Sequence, residues 1–295
     1  MTRALSDVVE TVETTSWEEP IDRSLSLVDA LEDGKVLFFP HLNFALSETE
    51  KTFLSPDCVD PSAKNVSYEA STGVAKHALG DDATLAAITA MMRRYYERAS
   101  ALARAAFPSY ANALAPGRTS FRPVEIAGRK SSARKDDARL HVDAFPSSPV
   151  GDKRIMRVFS NVNHSGKSRH WRVGESFEDA AKHFIGSVPA PLPGSAWLKN
   201  AVGITRGYQT RYDHTMLAIH DAMKLDTEYQ ARSVQNEFHV PPGSTWIVYT
   251  DLVPHAAMAG QHVFEQTFYL PLKAMANEAK APQRVLERLT GHAML

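Results

Sequence analysis

Apolar positions change their spacing several times along the chain. Residues 1–30 scatter leucines among polar and acidic residues with no sustained period, which predicts a weak helix or a loose arm. Val36, Leu37, Phe38 and Phe39 then form a short apolar run between Gly34 and Pro40, the pattern of a buried strand. Ser47 with Glu50 makes a capping-box pair and opens a short helix. From 55 to 80, Pro, Ser, Asn and Gly break any period and predict loop. Asp81-Asp82 caps the strongest helical pattern, about 83–107. There Leu85, Ile88, Met92, Tyr95, Tyr96, Ala99 and Leu102 recur at helical spacing, and Pro108 ends it.

The second half reads mainly as strands. Arg139–Phe145 and Arg154–Asn163 are strand-like and separated by a turn with Pro146, Pro149 and Gly151. Residues 164–200 predict a polar loop, a helix near 176–185 and a proline-rich turn through Pro189, Pro191 and Pro193. Tyr208–Lys224 is a packed core element, helix or strand. Strands follow at about 244–252 and 261–270, and the latter puts His262, Phe264, Gln266, Phe268 and Leu270 on one face. Residues 273–291 predict a charged amphipathic helix. These elements predict an α+β fold in a single domain spanning 1–295. A helical and basic part, 1–138, precedes a double-stranded β-helix (cupin-like jelly roll) core over about 139–272.

Composition narrows the function. The 295 residues are 43% hydrophobic and 23% charged, with a net charge of -1, so no global field favours nucleic acid and none is expected as a partner. The lone Cys58 excludes an internal disulfide framework and a cysteine-rich zinc module. Met1–Pro20 carries acids throughout and lacks the apolar core of a signal peptide. No apolar run approaches the roughly 18 residues of a membrane helix. A cytoplasmic protein is expected, with peripheral membrane contact open.

The candidate chemistry centres on His141 and Asp143. On a strand, residues two apart share a face, so this pair supplies two ligands of a facial 2-His-1-carboxylate site. The third ligand is expected from His255, which ends a unit running from Pro242-Gly243 through a strand to a turn. His262 is the alternative. His214 and His220 read as core residues or residues beside the ligands, and His164 and His170 as exposed. Nitrogen and oxygen donors without thiolate suit Fe(II), Mn(II) or Zn(II). Three open positions accept a 2-oxo acid and O2, and the oxidative chemistry then belongs to the metal.

Such a co-substrate needs a cation. Arg157 is expected to fill that role, on the same strand face as Asn161 and Asn163, with Gln266 added to the cofactor-binding set. Arg122 is the reserve. The segment 116–139 holds Arg118, Arg122, Arg129, Lys130, Arg134, Lys135 and Arg139 against only Glu125, Asp136 and Asp137. It reads either as a solvated loop or as an anion-binding rim.

Several stretches resemble the Kdo hydroxylase family. They are Arg118–Pro123, Arg139–Ser147 and Arg154–Asn163, then Tyr212-Asp213-His214 with His220-Asp221, Asp251–His255 and Gln261–Pro271. The resemblance runs from about 116 to 272. It implies an Fe(II)/2-oxoglutarate/O2-dependent oxygenase with His141, Asp143 and His255 on iron. It also implies a reaction, hydroxylation at C3 of Kdo on a lipid A-linked precursor of lipopolysaccharide, giving Ko. The carboxylate of Kdo and the phosphates of lipid A would use the basic segment, with Arg118, Arg122 and Arg139 as substrate-binding residues. The lipid implies peripheral contact with the cytoplasmic face of the inner membrane.

One departure stands out. Many 2-oxoglutarate oxygenases carry a cation about ten residues after the last histidine, and Phe264, Glu265 and Gln266 stand there instead. Two other readings compete: an oxygenase acting on another small anionic or protein substrate, and a non-catalytic cupin-like module that holds a sugar or phosphate.

Overall fold

In a computed structural model, residues 4–21, 26–129, 131–192 and 194–295 are described; Lys130 and Pro193 fall outside them. The strands are β1 (Val9–Thr11), β2 (Val36–Phe39), β3 (Val66–Glu69), β4 (Val74–Lys76), β5 (Ala115–Arg122), β6 (Lys153–Asn161), β7 (Arg169–Gly174), β8 (Gln235–Val240), β9 (Thr245–Tyr249), β10 (His255–Ala259) and β11 (Val263–Pro271). The helices are α1 (Leu5–Val8), α2 (Leu27–Glu32), α3 (Glu48–Lys51), α4 (Asp82–Ala106), α5 (Phe177–Phe184), α6 (Ser195–Ala201), α7 (Arg211–Leu225), α8 (Thr227–Arg232) and α9 (Pro282–Thr290). Two sheets form. The large one runs β1-β2-β9-β6-β11-β5-β3-β4 and the small one β10-β7-β8. This is the double-stranded β-helix expected from the strand pattern, but its large sheet also takes β1–β5 from the part, 1–138, that the sequence reads as helical and basic.

The alternation of β6 and β11 decides what lies on each side of the large sheet. Both strands are buried along almost their whole length, because both faces are covered. One face packs beneath α4. Tyr95 on α4 lies 4.8 Å from the Phe264 ring and its hydroxyl donates to the Val158 carbonyl at 3.1 Å. The other face, with Arg157, Phe159, Val263 and Glu265, lines a cavity. Asp81 caps α4 as expected, accepting from the Thr84 amide, and Ser47 and Glu50 close their capping box.

The fold corrects several sequence expectations. Arg139–Phe145 is not a strand; His141 makes a single antiparallel bridge to His255. Residues 55–80 are not all loop. They contain the β3–β4 hairpin, whose β4 residues are exposed or half-buried and so carry no apolar signature. Tyr208–Lys224 resolves into helix α7. The C-terminal helix shrinks to α9, preceded by two 3-10 turns. The small sheet was missed apart from its surroundings, since β7 mixes charges with apolar residues.

Candidate metal centre

The two ligand-bearing segments meet through backbone hydrogen bonds. The His141 amide donates to the His255 carbonyl at 3.0 Å, and the His255 amide returns to the His141 carbonyl at 2.8 Å. The Asp143 amide donates to the Thr250 carbonyl at 2.8 Å, which fixes the carboxylate beside the two imidazoles. The turn between β9 and β10 is anchored from below by the buried pair Arg154–Asp251, with Nε to Oδ2 at 2.7 Å and Nη2 to Oδ1 at 3.1 Å. Gly174 lies where both segments close in. A Cβ there would fall 2.9 Å from Pro254 Cβ and 3.0 Å from Leu140 Cδ2, so only glycine fits without displacement.

His141, Asp143 and His255 are buried, and one ligand atom from each lies within 4.8 Å of the others. Both histidines direct Nδ1 to a backbone carbonyl, Arg139 at 2.7 Å and Val253 at 2.8 Å. That bond selects the Nδ1–H tautomer and leaves each Nε2 lone pair free, the second-sphere arrangement of metal-binding imidazoles. Burial, and then the proximity of His255, hold the His141 imidazole well below its ordinary pKa; burial also lowers His255. Both are thus neutral ligands at neutral pH. Burial opposes ionisation of Asp143, but the charge of Arg157 leads a set of interactions that overcomes it and keeps the carboxyl below its usual value. Asp143 Oδ2 lies 3.0 Å from Arg157 Nη2 yet is not aligned for a hydrogen bond, so a buried anionic oxygen remains for a cation. This donor set fits a divalent iron.

The three residues open onto a cavity of about 490 Å³. Trp171, Trp246 and Phe159 wall one side: Trp171 stacks on His255 at 4.9 Å and Phe159 on Trp246 at 4.9 Å. Deeper in, Glu265 sits diagonally between two arginines of the neighbouring strands. It accepts from Arg157 Nη1 at 2.8 Å and from Arg122 Nη2 at 2.7 Å. Arg169, on β7, also lines the cavity and is buried. Its Nη1 donates to the Gly260 carbonyl at 2.7 Å, its Nε has no hydrogen bond, and among the described residues no carboxylate touches it, although Asp137, Glu125 and Glu265 act on its charge from further off. Burial, and then Arg122, pull its pKa down to about 10. Nearer the mouth, Lys64 and the buried Lys224 flank Asp137, which Arg122 also reaches from within, while Arg134 pairs with Asp221 and Lys135 is exposed.

Of the expected site residues, the structure brings together His141, Asp143, His255, Arg157 and Arg122. It does not bring Asn161, Asn163 or Gln266 to the cavity. The Asn161 amide donates to Val240 and Lys167 carbonyls, and Asn163 Oδ1 organises the turn at Ser165 and Lys167. Gln266 bonds Thr119 and the Thr267 carbonyl on the face opposite Glu265, as strand alternation requires. Arg118 is exposed on β5, and Arg139 is spent on the Lys224 carbonyl and Asp136. His262 lies apart from the ligands, stacked 5.6 Å from His164, with left-handed φ of 64°. His220 stands edge-on to His141 at 5.4 Å. Arg169 was overlooked because its strand reads as a polar loop. Its signal was Trp171 two residues on, sharing its face. A second group, His170, Glu237 and His239, lies outside this cavity, on half-buried and exposed positions.

Comparison with known proteins gives a consistent picture. The family model for 3-deoxy-D-manno-oct-2-ulosonic acid (Kdo) hydroxylase matches residues 14–293. A crystal structure of the Kdo hydroxylase KdoO, a non-heme Fe(II) alphaketoglutarate-dependent dioxygenase in complex with alphaketoglutarate and Fe(III), superposes with a TM-score of 0.94 at 44% identity. It covers 98% of this chain and 97% of that one. The cobalt(II) complex of KdoO matches at 45% identity, TM-score 0.94, and 97% of each chain. No curated protein sequence matches. By the extent of both matches, this chain belongs to the Kdo hydroxylase family.

Proposed function

We propose that the protein is an Fe(II)/2-oxoglutarate-dependent dioxygenase that hydroxylates C3 of a Kdo residue on a lipid A-linked precursor, giving Ko. The observation that carries this reading is the buried His141–Asp143–His255 set, opening onto a cavity that holds a buried arginine, Arg169, with no carboxylate in direct contact among the described residues. The reaction consumes the sugar, O2 and 2-oxoglutarate and yields the hydroxylated sugar, succinate and CO2.

His141, Asp143 and His255 would hold the iron, which supplies the oxygen chemistry when bound. The protein contributes position, charge and dryness. The Nδ1 hydrogen bonds of both imidazoles fix their rings. Arg157 keeps Asp143 ionised and shares its second donor with Glu265. Trp171, Trp246 and Phe159 exclude water from the reacting centre. Arg169 replaces Arg157 as the partner of the distal 2-oxoglutarate carboxylate, because Arg157 and Arg122 each hold a carboxylate in direct contact and Arg169 holds none among the described residues. The basic mouth, with Lys64, Arg134, Lys135 and Lys224, suits an anionic sugar.

The test is anaerobic addition of Fe(II) and then 2-oxoglutarate under optical absorption. A weak visible band that requires both components and vanishes in Asp143→Ala supports the cofactor pair. Succinate released only with a Kdo-bearing lipid acceptor supports the substrate. Absence of both band and 2-oxoglutarate binding rejects the oxygenase and leaves a binding module.

A further inference from the structure

Beyond the cavity, the exposed apolar side chains are unevenly distributed. Six of the eleven large exposed hydrophobics among the described residues fall between 192 and 208: Leu192, Trp197, Leu198, Val202, Ile204 and Tyr208. Leu192 is 76% exposed, Trp197 67% and Tyr208 64%. Scattered exposed hydrophobics are ordinary, but this clustering is not. Helix α6 at its centre buries none of its residues. The outward display does not come from a loose segment, since its base is tied down. Thr205 and Gln209 are buried, Gln209 accepts from Lys199 Nζ at 2.9 Å, and the Arg206 amide donates to the Ser147 carbonyl at 2.8 Å. At the other end, His214 Nε2 lies 2.8 Å from the Pro189 carbonyl.

Charge and position indicate the occupant. From Ile185 to Tyr212 the chain has no Asp or Glu, while Lys199, Arg206 and Arg211 interrupt the apolar residues. Over the rest of the protein 34 acids outnumber 30 bases. A Trp, a Tyr and aliphatic side chains interleaved with cations suit the headgroup layer of an anionic bilayer. A protein partner would more usually meet an apolar patch with charge excluded from its centre. The segment also borders the reaction cavity. Ser147, which holds Arg206, follows Phe145 and Pro146 of the cavity wall, and α7, which starts at Arg211, supplies Leu217, His220 and Asp221.

We infer that residues 192–208 form a membrane-docking surface that seats the protein on an anionic phospholipid bilayer beside the cavity mouth. The purpose of this surface rests on the proposed lipid-linked acceptor; the binding itself does not. A sugar on a lipid headgroup would then reach the metal centre without its acyl chains leaving the bilayer.

The experiment is co-sedimentation of the full chain with vesicles of phosphatidylethanolamine and phosphatidylglycerol, alongside pure phosphatidylcholine vesicles. The wild type should sediment with the anionic vesicles and less so at high salt. The double variant Trp197→Ser/Leu198→Ser should lose at least about tenfold in partitioning, as removing two inserted side chains requires. Arg206→Glu/Arg211→Glu should lose binding to the anionic vesicles in particular. Both variants should keep the Fe(II)/2-oxoglutarate absorption band, which shows an intact fold. Wild type that stays in the supernatant, or a Trp197→Ser/Leu198→Ser variant that sediments unchanged, overturns the inference. So does conversion of a wild-type dimer to a monomer by that variant, which would make the patch a contact between copies. Loss of the band in wild type would instead count against the proposed function and leave the docking result standing.

Discussion

Arg169→Gln should weaken 2-oxoglutarate binding about a hundredfold while leaving the metal ligands in place. The magnitude follows from the environment of the side chain. Its pKa falls from an ordinary 12.5 to about 10, chiefly through burial and then through Arg122. That depression corresponds to about 3 kcal/mol of unfavourable charge, at roughly 1.4 kcal/mol for each tenfold. A bound carboxylate that restores the ordinary balance recovers a contribution of that order, or about a hundredfold in Kd. Losing one partner of a buried charged pair costs roughly 2–5 kcal/mol, the same range. Gln keeps a donor near the Gly260 carbonyl but carries no charge. The assay is anaerobic titration of the Fe(II)-loaded protein with 2-oxoglutarate, followed at its visible band, with Co(II) binding as a control for the ligands. Arg169→Lys, which keeps charge but loses the fork, should fall between the two. A Kd for Arg169→Gln within about threefold of wild type would refute the assignment.

Four further outcomes follow. Gly174→Ala should cost about 1–3 kcal/mol in urea denaturation and lower Co(II) affinity, because its Cβ presses on Leu140 and Pro254, each next to a ligand; unchanged metal affinity would show that the ligand segments yield independently. Asp251→Ala should destabilise by about 3–5 kcal/mol, since it leaves Arg154 buried without its carboxylate; a loss under about 1 kcal/mol would mean that the Tyr249 ring, 4.2 Å from its guanidinium, and Met275 Sδ, 3.1 Å from its Nη1, suffice. Burial, and then His164, hold His262 down to about 4. The unfolded chain therefore takes up its proton first, at about 6.5, and stability drains as pH falls from about 6.5 to 4. His262→Asn tolerates the left-handed backbone and should flatten that decline by about 2 kcal/mol, read from urea melts across the window; a parallel decline in the variant would place the titration elsewhere. Co(II) at a hundredfold over its Kd should raise apparent stability by about 2.7 kcal/mol, and His141→Ala should abolish that rise.

Strong, long patterns were legible in the sequence. Helix α4 and strands β2, β6, β9 and β11 were placed to within about three residues at each end, because each buries a continuous face. The grouping of His141, Asp143 and His255 was also legible, though for an incomplete reason. His141 and Asp143 do converge, yet an extended segment with one bridge achieves this rather than a strand. Less regular parts were hidden. Strand β7 presents one side to the cavity and the other outward, so its arginines and histidine looked like loop. The position ten residues past His255 gave no cation because Glu265 occupies it, and Glu265 is the very group that neutralises Arg157 and Arg122. Only side-chain pairing across three strands reveals that Arg169 is left over. The basic segment divided likewise: Arg122 reached the cavity, whereas Arg118 and Arg139 went elsewhere.

The strand order has a consequence for synthesis on the ribosome. Strand β11 lies inside the large sheet, between β6 and β5, yet it is the last strand made. Until it emerges, β5 with its hairpin and β6 with its neighbours face a missing centre, and each has an open edge. The two halves of the sheet cannot join early, and the cavity face cannot close. The nascent chain must therefore wait with unpaired edges exposed, so chaperone binding or premature association should concentrate in the interval just before residues 263–271 leave the exit tunnel.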